Sequence, residues 1–515
     1  MSAAKKQKEK KPNIFVRFGR KIRDYFVPLG QAMAKGDVFT KLSFLISGFG
    51  YFFHHQEQTG FHRNNKYGKM PDDNAPTSNT VIVVQWLRGV FYLAIEALAV
   101  LALIFWGIPN FAKLSLTNLV PAGTLDNGRF EIDPATGEFI FEKGDSSFQI
   151  LLFSLITILV LVAFVFIHIS SIKGVYKSER DIAEGRPIRT AKQDLKALLD
   201  EHFYITVLSL PILGVILFTV VPTLMMILIA FTNYGASDGT GEIGMDNFTW
   251  VGTANFGNLF NIGKSASFAK VFGNQLLWTL IWAFFAAFTC FIGGLLLALL
   301  LNSKRTKFVK VWRTGFVLTI AVPQFVSLML IRYFLADNGI VNNIITSIWH
   351  CDPLPFLTDP LWTKFTVIIV NCWVGFPYLM LMISGILLNI PADLYESARI
   401  DGAGKTRMFW SITMPYILQV CTPYLISSFV SNINNFNVIY LLTVDGYTHD
   451  SAYLEVAARE SDLLITWLYN MIAGGAEKQY YMASVVGIMM FVISTAFTLI
   501  TFGYTTRGNR ERRLG

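Results

Sequence analysis

A chain of 515 residues that is 53% hydrophobic and 15% charged, with 44 phenylalanines and a mean hydropathy of +0.46, is too apolar for an ordinary soluble domain. Its formal net charge of +8 does not indicate nucleic acid, because the basic residues are spread over several loops instead of clustering with stacking aromatics. Cys290, Cys372 and Cys421 fall within apolar segments and only Cys351 lies outside, which excludes a disulfide framework.

In chain order, residues 1–86 form a basic N-terminal region. Its "KKQKEKKPNIFVRFGRKIR" reads as attraction to anionic lipid and has no apolar core of a cleaved signal. The apolar run 41–53, "KLSFLISGFGYFF", is too short and Gly-rich for a full span and is expected to be interfacial or re-entrant. His54, His55 and His62 that follow show no metal-binding spacing, and 72–80 reads as a linker.

The expected fold is an all-α polytopic membrane protein with eight transmembrane helices, since a span takes roughly 20 apolar residues. The spans are placed near 89–108, 148–170, 203–231, 276–301, 312–335, 365–390, 416–442 and 482–502. With a cytoplasmic start, the inside stretches 1–86, 171–202, 302–313, 391–415 and 505–515 hold 33 of the 43 Lys and Arg residues. Both termini are therefore expected in the cytoplasm. This gives an accessory helix pair over 87–170, a cytoplasmic linker over 171–202, a six-helix core over 203–505 and a basic tail over 506–515.

Glu96 and His168 lie in the accessory pair, where neighbours or backbone would satisfy them. The core spans carry almost no charge. Instead, Ser428, Asn432 and Asn435 recur at i, i+4 and i+7 in "SSFVSNINNFN", on one face of the seventh span. Neutral amides and hydroxyls suit a sugar, which offers many hydrogen-bonding groups and no charge. The sixth span carries "NCWVGFPY", Asn371 to Tyr378, at a depth that lets the two sets meet.

Between these spans runs "DLYESARIDGAGKTRMFWSITMP", Asp393 to Pro415. Its Gly-Lys-Thr is not a nucleotide-binding loop, because Arg399 stands where that loop needs its first Gly and no strand precedes it. The stretch resembles the EAA loop of ABC importer permeases: Glu396, Ser397 and Ala398, three residues, Gly402, nine residues, then Ile412, Met414 and Pro415. Further stretches, "NFTWVGTANFGNLF", "VNCWVGFPYLM", "INNFNVIYLLT" and "SDLLITWLYNMIA", are similar to MalF-type subunits of maltose and maltodextrin importers, so the resemblance runs from about 203 to 502.

That resemblance implies a six-helix permease core without catalytic residues or a cofactor of its own, in the bacterial cytoplasmic membrane. It implies a homologous second permease, two ATPase subunits that hold ATP and Mg, and an external sugar-binding protein as partners. Glu396, Ser397, Ala398, Asp401, Gly402 and Ala403 would dock the ATPase. Gly375, Tyr378, Ser428, Asn432 and Asn435 would contact a maltodextrin-type oligosaccharide, with Val374 and Ser431 departing from the family pattern. Competing readings are a permease for another sugar and an ion-coupled secondary transporter; the latter would have no use for such a loop.

Overall fold

The computed structural model describes residues 14–58, 81–117, 119, 145–235, 247–260, 266–303, 305–443, 448–474 and 478–512. His62, the expected linker 72–80 and most of the expected loop 109–147 lie outside them. The chain divides into two compact units, Met1–Met225 and Met226–Gly515, with the division inside the Phe203–Ile229 helix.

Six of the eight expected spans are continuous apolar helices long enough to cross a membrane: Trp86–Ala112, Ser147–Ala183, Phe203–Ile229, Ser267–Leu301, Pro360–Leu388 and Tyr480–Gly503. The other two expected spans are interrupted among the described residues. Near 312–335, Val309–Ala321 and Gln324–Trp349 meet at 97°. Pro323 stands at that break, where it cannot donate a backbone hydrogen bond to the preceding turn. Near 416–442, the Met414–Ile433 helix stops at Asn434 and a second helix, Phe436–Thr443, begins two residues later. The all-helical expectation also needs amendment, because His55–Gln58 pairs antiparallel with Val81–Val84.

In the first unit, the segment after the Ile14–Lys35 helix folds back on itself between Val38–Leu42 and Gly50–Phe53. At its turn, the Ser47 N–H donates to Glu96 Oε2 at 2.5 Å, and Ser47 Oγ meets His168 Nδ1 at 2.5 Å. Glu96 stands ten residues, about 15 Å, into the Trp86–Ala112 helix, so the turn of the folded-back segment packs well along that helix. Neighbours therefore satisfy both half-buried polar side chains, as the sequence suggests. At the base, Glu179 accepts from the Asp37 N–H at 2.9 Å and from Thr40 Oγ1 at 2.6 Å. Arg88 grips Asp194 through two nitrogens, at 2.7 and 2.5 Å, which fixes the Ala191–Leu199 helix against the first span.

The core of the second unit forms where Ala266–Leu301 packs along Pro360–Leu388 and Met414–Ile433, burying Phe291, Leu295, Met380, Ile383 and Ile417. Residues 448–474 form a folded cap on the first turns of Ala266–Leu301. The Gln275 amide donates to the Arg459 carbonyl at 2.6 Å, the Trp278 indole to the Ser461 carbonyl at 3.2 Å, and the Leu464 N–H to Thr279 Oγ1 at 3.0 Å.

Candidate functional site

Two groups of residues stand out in the second unit. The first is the helix–turn–helix between Pro360–Leu388 and Met414–Ile433. The Ala392–Ile400 helix ends in a Schellman motif: the Gly402 N–H donates to the Arg399 carbonyl at 3.0 Å and the Ala403 N–H to the Ala398 carbonyl at 2.9 Å. Gly402 adopts φ +77°, a left-handed conformation that a side chain disfavours. The chain re-enters a helix at Lys405, and the Tyr395 hydroxyl meets Thr413 Oγ1 at 2.8 Å, tying the two arms together.

Glu396, Ser397, Asp401 and Gly402 are exposed, and Ala398 and Ala403 are half-buried. All six residues thus lie on one short capped element. Ile400 beside them is 87% exposed, an apolar tip that spacing alone did not single out. A large exposed apolar side chain between the charged Arg399 and Asp401 is suited to contact with another protein.

The second group is the neutral polar ladder. Asn432 Nδ2 donates to the Ser428 carbonyl at 2.9 Å, and Asn435 Nδ2 donates to Asn432 Oδ1 at 3.2 Å. The three residues are linked, yet they do not share one continuous helix face. Asn435 sits past the helix end, and its Oδ1 accepts from the Val438 N–H at 3.3 Å, capping Phe436–Thr443. Asn favours such caps because its short side chain competes for backbone hydrogen bonds, which also explains the interruption of the span.

Tyr378, 52% exposed, brings the sixth span to this ladder through Tyr424, with ring centroids 5.9 Å apart. Tyr424 lies one turn before Ser428. Its i−4 spacing was legible in the sequence, but the contact depends on helix packing. The Trp282 indole also donates to the Asn432 carbonyl at 3.1 Å, a partner 150 positions away that no local pattern reveals.

Gly375 plays a packing part: a Cβ there would come within 2.5 Å of Cys290 Sγ, so the residue lets the two helices approach closely. Asn371 Nδ2 points to the same sulfur at 3.5 Å. Trp373 is separate from the ladder and lines an apolar groove of about 650 Å³ with Phe334, Phe356 and Thr366.

Among the described residues, one cluster places metal-ligating atoms within 4.8 Å of one another: Asp37, His54 and Glu179 in the first unit. Its carboxylate oxygens already accept hydrogen bonds from Thr40, the Asp37 N–H and His54, while His54 Nδ1 is buried without a partner among the described residues. Burial raises the Asp37 pKa, but the bonds from Thr40 and His54 outweigh it and hold the carboxyl below its ordinary value.

Residues 290–505 match the family described as the inner membrane component of binding-protein-dependent transport systems. The maltodextrin transport system permease protein MalC of Streptococcus pneumoniae is 32% identical over 368 residues, covering 70% of this chain and 82% of the relative. Two Bacillus subtilis proteins match over more of the chain. The maltodextrin permease MdxF is 31% identical over 83% of this chain and 93% of its own length. The galactooligosaccharides permease GanP is 30% identical over 80% and 91%. One solved chain, from a bacterial ABC transporter involved in import of the polysaccharide alginate, is 24% identical with a TM-score of 0.49, covering 61% of this chain and 99% of that one. On the matched sequences and the multi-span helical core together, the chain belongs to the MalF-type sugar permeases of bacterial binding-protein-dependent ABC importers.

Proposed function

We propose that this chain is one of two membrane subunits that form the sugar path of a maltodextrin importer. A homologous second permease completes the path, an external binding protein delivers the oligosaccharide, and two cytoplasmic ATPase subunits supply the energy. ATP and Mg are held by those subunits. Both termini lie in the cytoplasm, on the same side as residues 391–415.

The observation that carries this reading is the exposed Schellman-capped helix–turn–helix around Gly402. Glu396, Ser397, Ala398, Asp401, Gly402 and Ala403 form its docking surface, and Ile400 enters a recess of the ATPase. The element is joined directly to Pro360–Leu388 and, through the short helical run after Lys405, to Met414–Ile433. Those helices carry Tyr378, Ser428 and Asn432, with Asn435 just past the end of the second, so movement of the loop reaches the sugar path through the helices. Coupling arises because ATP and loaded binding protein favour different conformations of the assembly. Tyr378 and the ladder contact the sugar, and Gly375 sets the helix spacing that presents them.

A second sugar class, galactooligosaccharides, is favoured by the match to GanP across 80% of this chain. The test is to tag the C-terminus, extract the chain gently from its native membrane, identify co-purifying subunits and measure ATP hydrolysis. A second permease and an ATPase, with hydrolysis stimulated by binding protein plus maltodextrin, support the proposal. Stimulation by galactooligosaccharide alone moves the substrate to the second class. A chain that purifies without any ATPase refutes the importer assembly.

A further inference from the structure

The Ile14–Lys35 helix precedes the folded-back segment 38–53 and belongs to neither site described above. Over its described side chains, Ile22, Phe26, Leu29 and Met33 recur at helical spacing and form one apolar stripe. Ile22, Phe26 and Met33 are 45%, 47% and 61% exposed. Arg20, Arg23, Asp24 and Gln31 occupy the other side, and five basic residues face one acidic residue along the helix. Such a helix neither spans a bilayer nor buries its apolar face in this unit.

Its attachment sets its depth. The Lys173 ammonium lies 3.1 Å from the centre of the Tyr25 ring, and Ala32 is fully buried. Just past the helix, Asp37 and Thr40 are tied to Glu179. Lys173 and Glu179 belong to the Ser147–Ala183 helix immediately beyond its apolar run, which ends at Ile172. The helix is therefore held where hydrocarbon gives way to headgroups. Leu45, Ile46 and Phe53 of the folded-back segment are exposed too, at 74%, 43% and 44%.

The geometry points to an anionic bilayer surface as the occupant of this face. Ile14–Lys35 lies in the plane of the leaflet beside Lys173, with Ile22, Phe26, Leu29 and Met33 among the acyl chains and Arg20, Lys21 and Arg23 among phosphate headgroups. The folded-back segment and this helix together form a collar that anchors the accessory helices in that leaflet. Its charge complements anionic lipid, whereas a protein partner covering the stripe would leave the basic side unmatched.

The test uses the full chain in its assembled complex, in nanodiscs of equal parts phosphatidylglycerol and phosphatidylcholine. With Cys351 replaced by Ser, a fluorophore is placed on Phe26→Cys, on Ile22→Cys and on Asp24→Cys in separate preparations. Labels at 22 and 26 should lose most of their emission to lipids carrying a doxyl quencher and little to aqueous iodide, with the reverse at 24. Iodide quenching at all three positions overturns the proposal, as does protection of 22 and 26 from both quenchers, which marks a protein partner. In phosphatidylcholine alone, lipid quenching at 22 and 26 should fall; unchanged quenching overturns the role assigned to the basic face.

Discussion

Gly402 provides the sharpest test of the docking element. It holds φ +77° at the end of Ala392–Ile400, and a Cβ added there would meet nothing within 4 Å. The cost of Gly402→Ala is then conformational, about 1–2 kcal/mol for a left-handed residue carrying a Cβ. That shifts the balance between the capped and opened turn by roughly 5- to 30-fold. Asn tolerates this conformation better than Ala, and Val tolerates it worse. Membranes containing each variant should retain equal amounts of inserted chain, while co-purifying ATPase and sugar-stimulated hydrolysis fall in the order Gly, Asn, Ala, Val. If Asn is as damaging as Val, the partner excludes side chains by crowding, and backbone conformation is not the cause. If Gly402→Val binds ATPase and transports like the wild type, the docking role itself is refuted.

Three further outcomes follow from individual contacts. Gly375→Ala should destabilise the core by about 1–3 kcal/mol through overpacking against Cys290; adding Cys290→Ala should restore most of the loss in the thermal midpoint, and a purely additive double variant would remove the contact as cause. Asn435→Asp keeps the acceptor for the Val438 N–H but loses the Nδ2 donor to Asn432 Oδ1, whereas Asn435→Leu loses both, so the Leu variant should fall further by about 1 kcal/mol of capping. Both should abolish sugar uptake with ATPase association intact, and uptake retained by Asn435→Asp would leave the residue as a cap alone. Burial pushes the Asp462 carboxyl up to about 6 from 3.8. The folded state holds the proton more tightly, so this stabilisation is complete below the ordinary value and is lost as pH rises through 6, roughly 3 kcal/mol in all. Asp462→Asn should remove that pH dependence from the thermal midpoint between pH 4 and 7; an unchanged profile would assign it to other groups.

Local chemistry made much of this protein legible before any folding was considered. Apolar runs of sufficient length predict helices whatever they pack against, and six of the expected spans are continuous. Gly402, singled out by its resemblance to the EAA loop, proves to be the left-handed residue of a helix cap because the Schellman bonds involve only Ala398 to Ala403. Hydrogen bonds between neighbours in sequence are largely decided by that sequence.

Tertiary structure decided what depends on distant partners. Ser428, Asn432 and Asn435 fit a single helix face by spacing, but Asn435 caps a second helix because its side chain satisfies the Val438 N–H after the break. The close approach of Cys290 to Gly375 is set by helix packing, and Trp282 enters the site only through packing against Asn432. Glu96 and His168 look costly in isolation; the turn at Ser47 meets both. Hydropathy and turn chemistry are properties of short stretches, whereas the partner of a buried polar group is chosen by which helices come together.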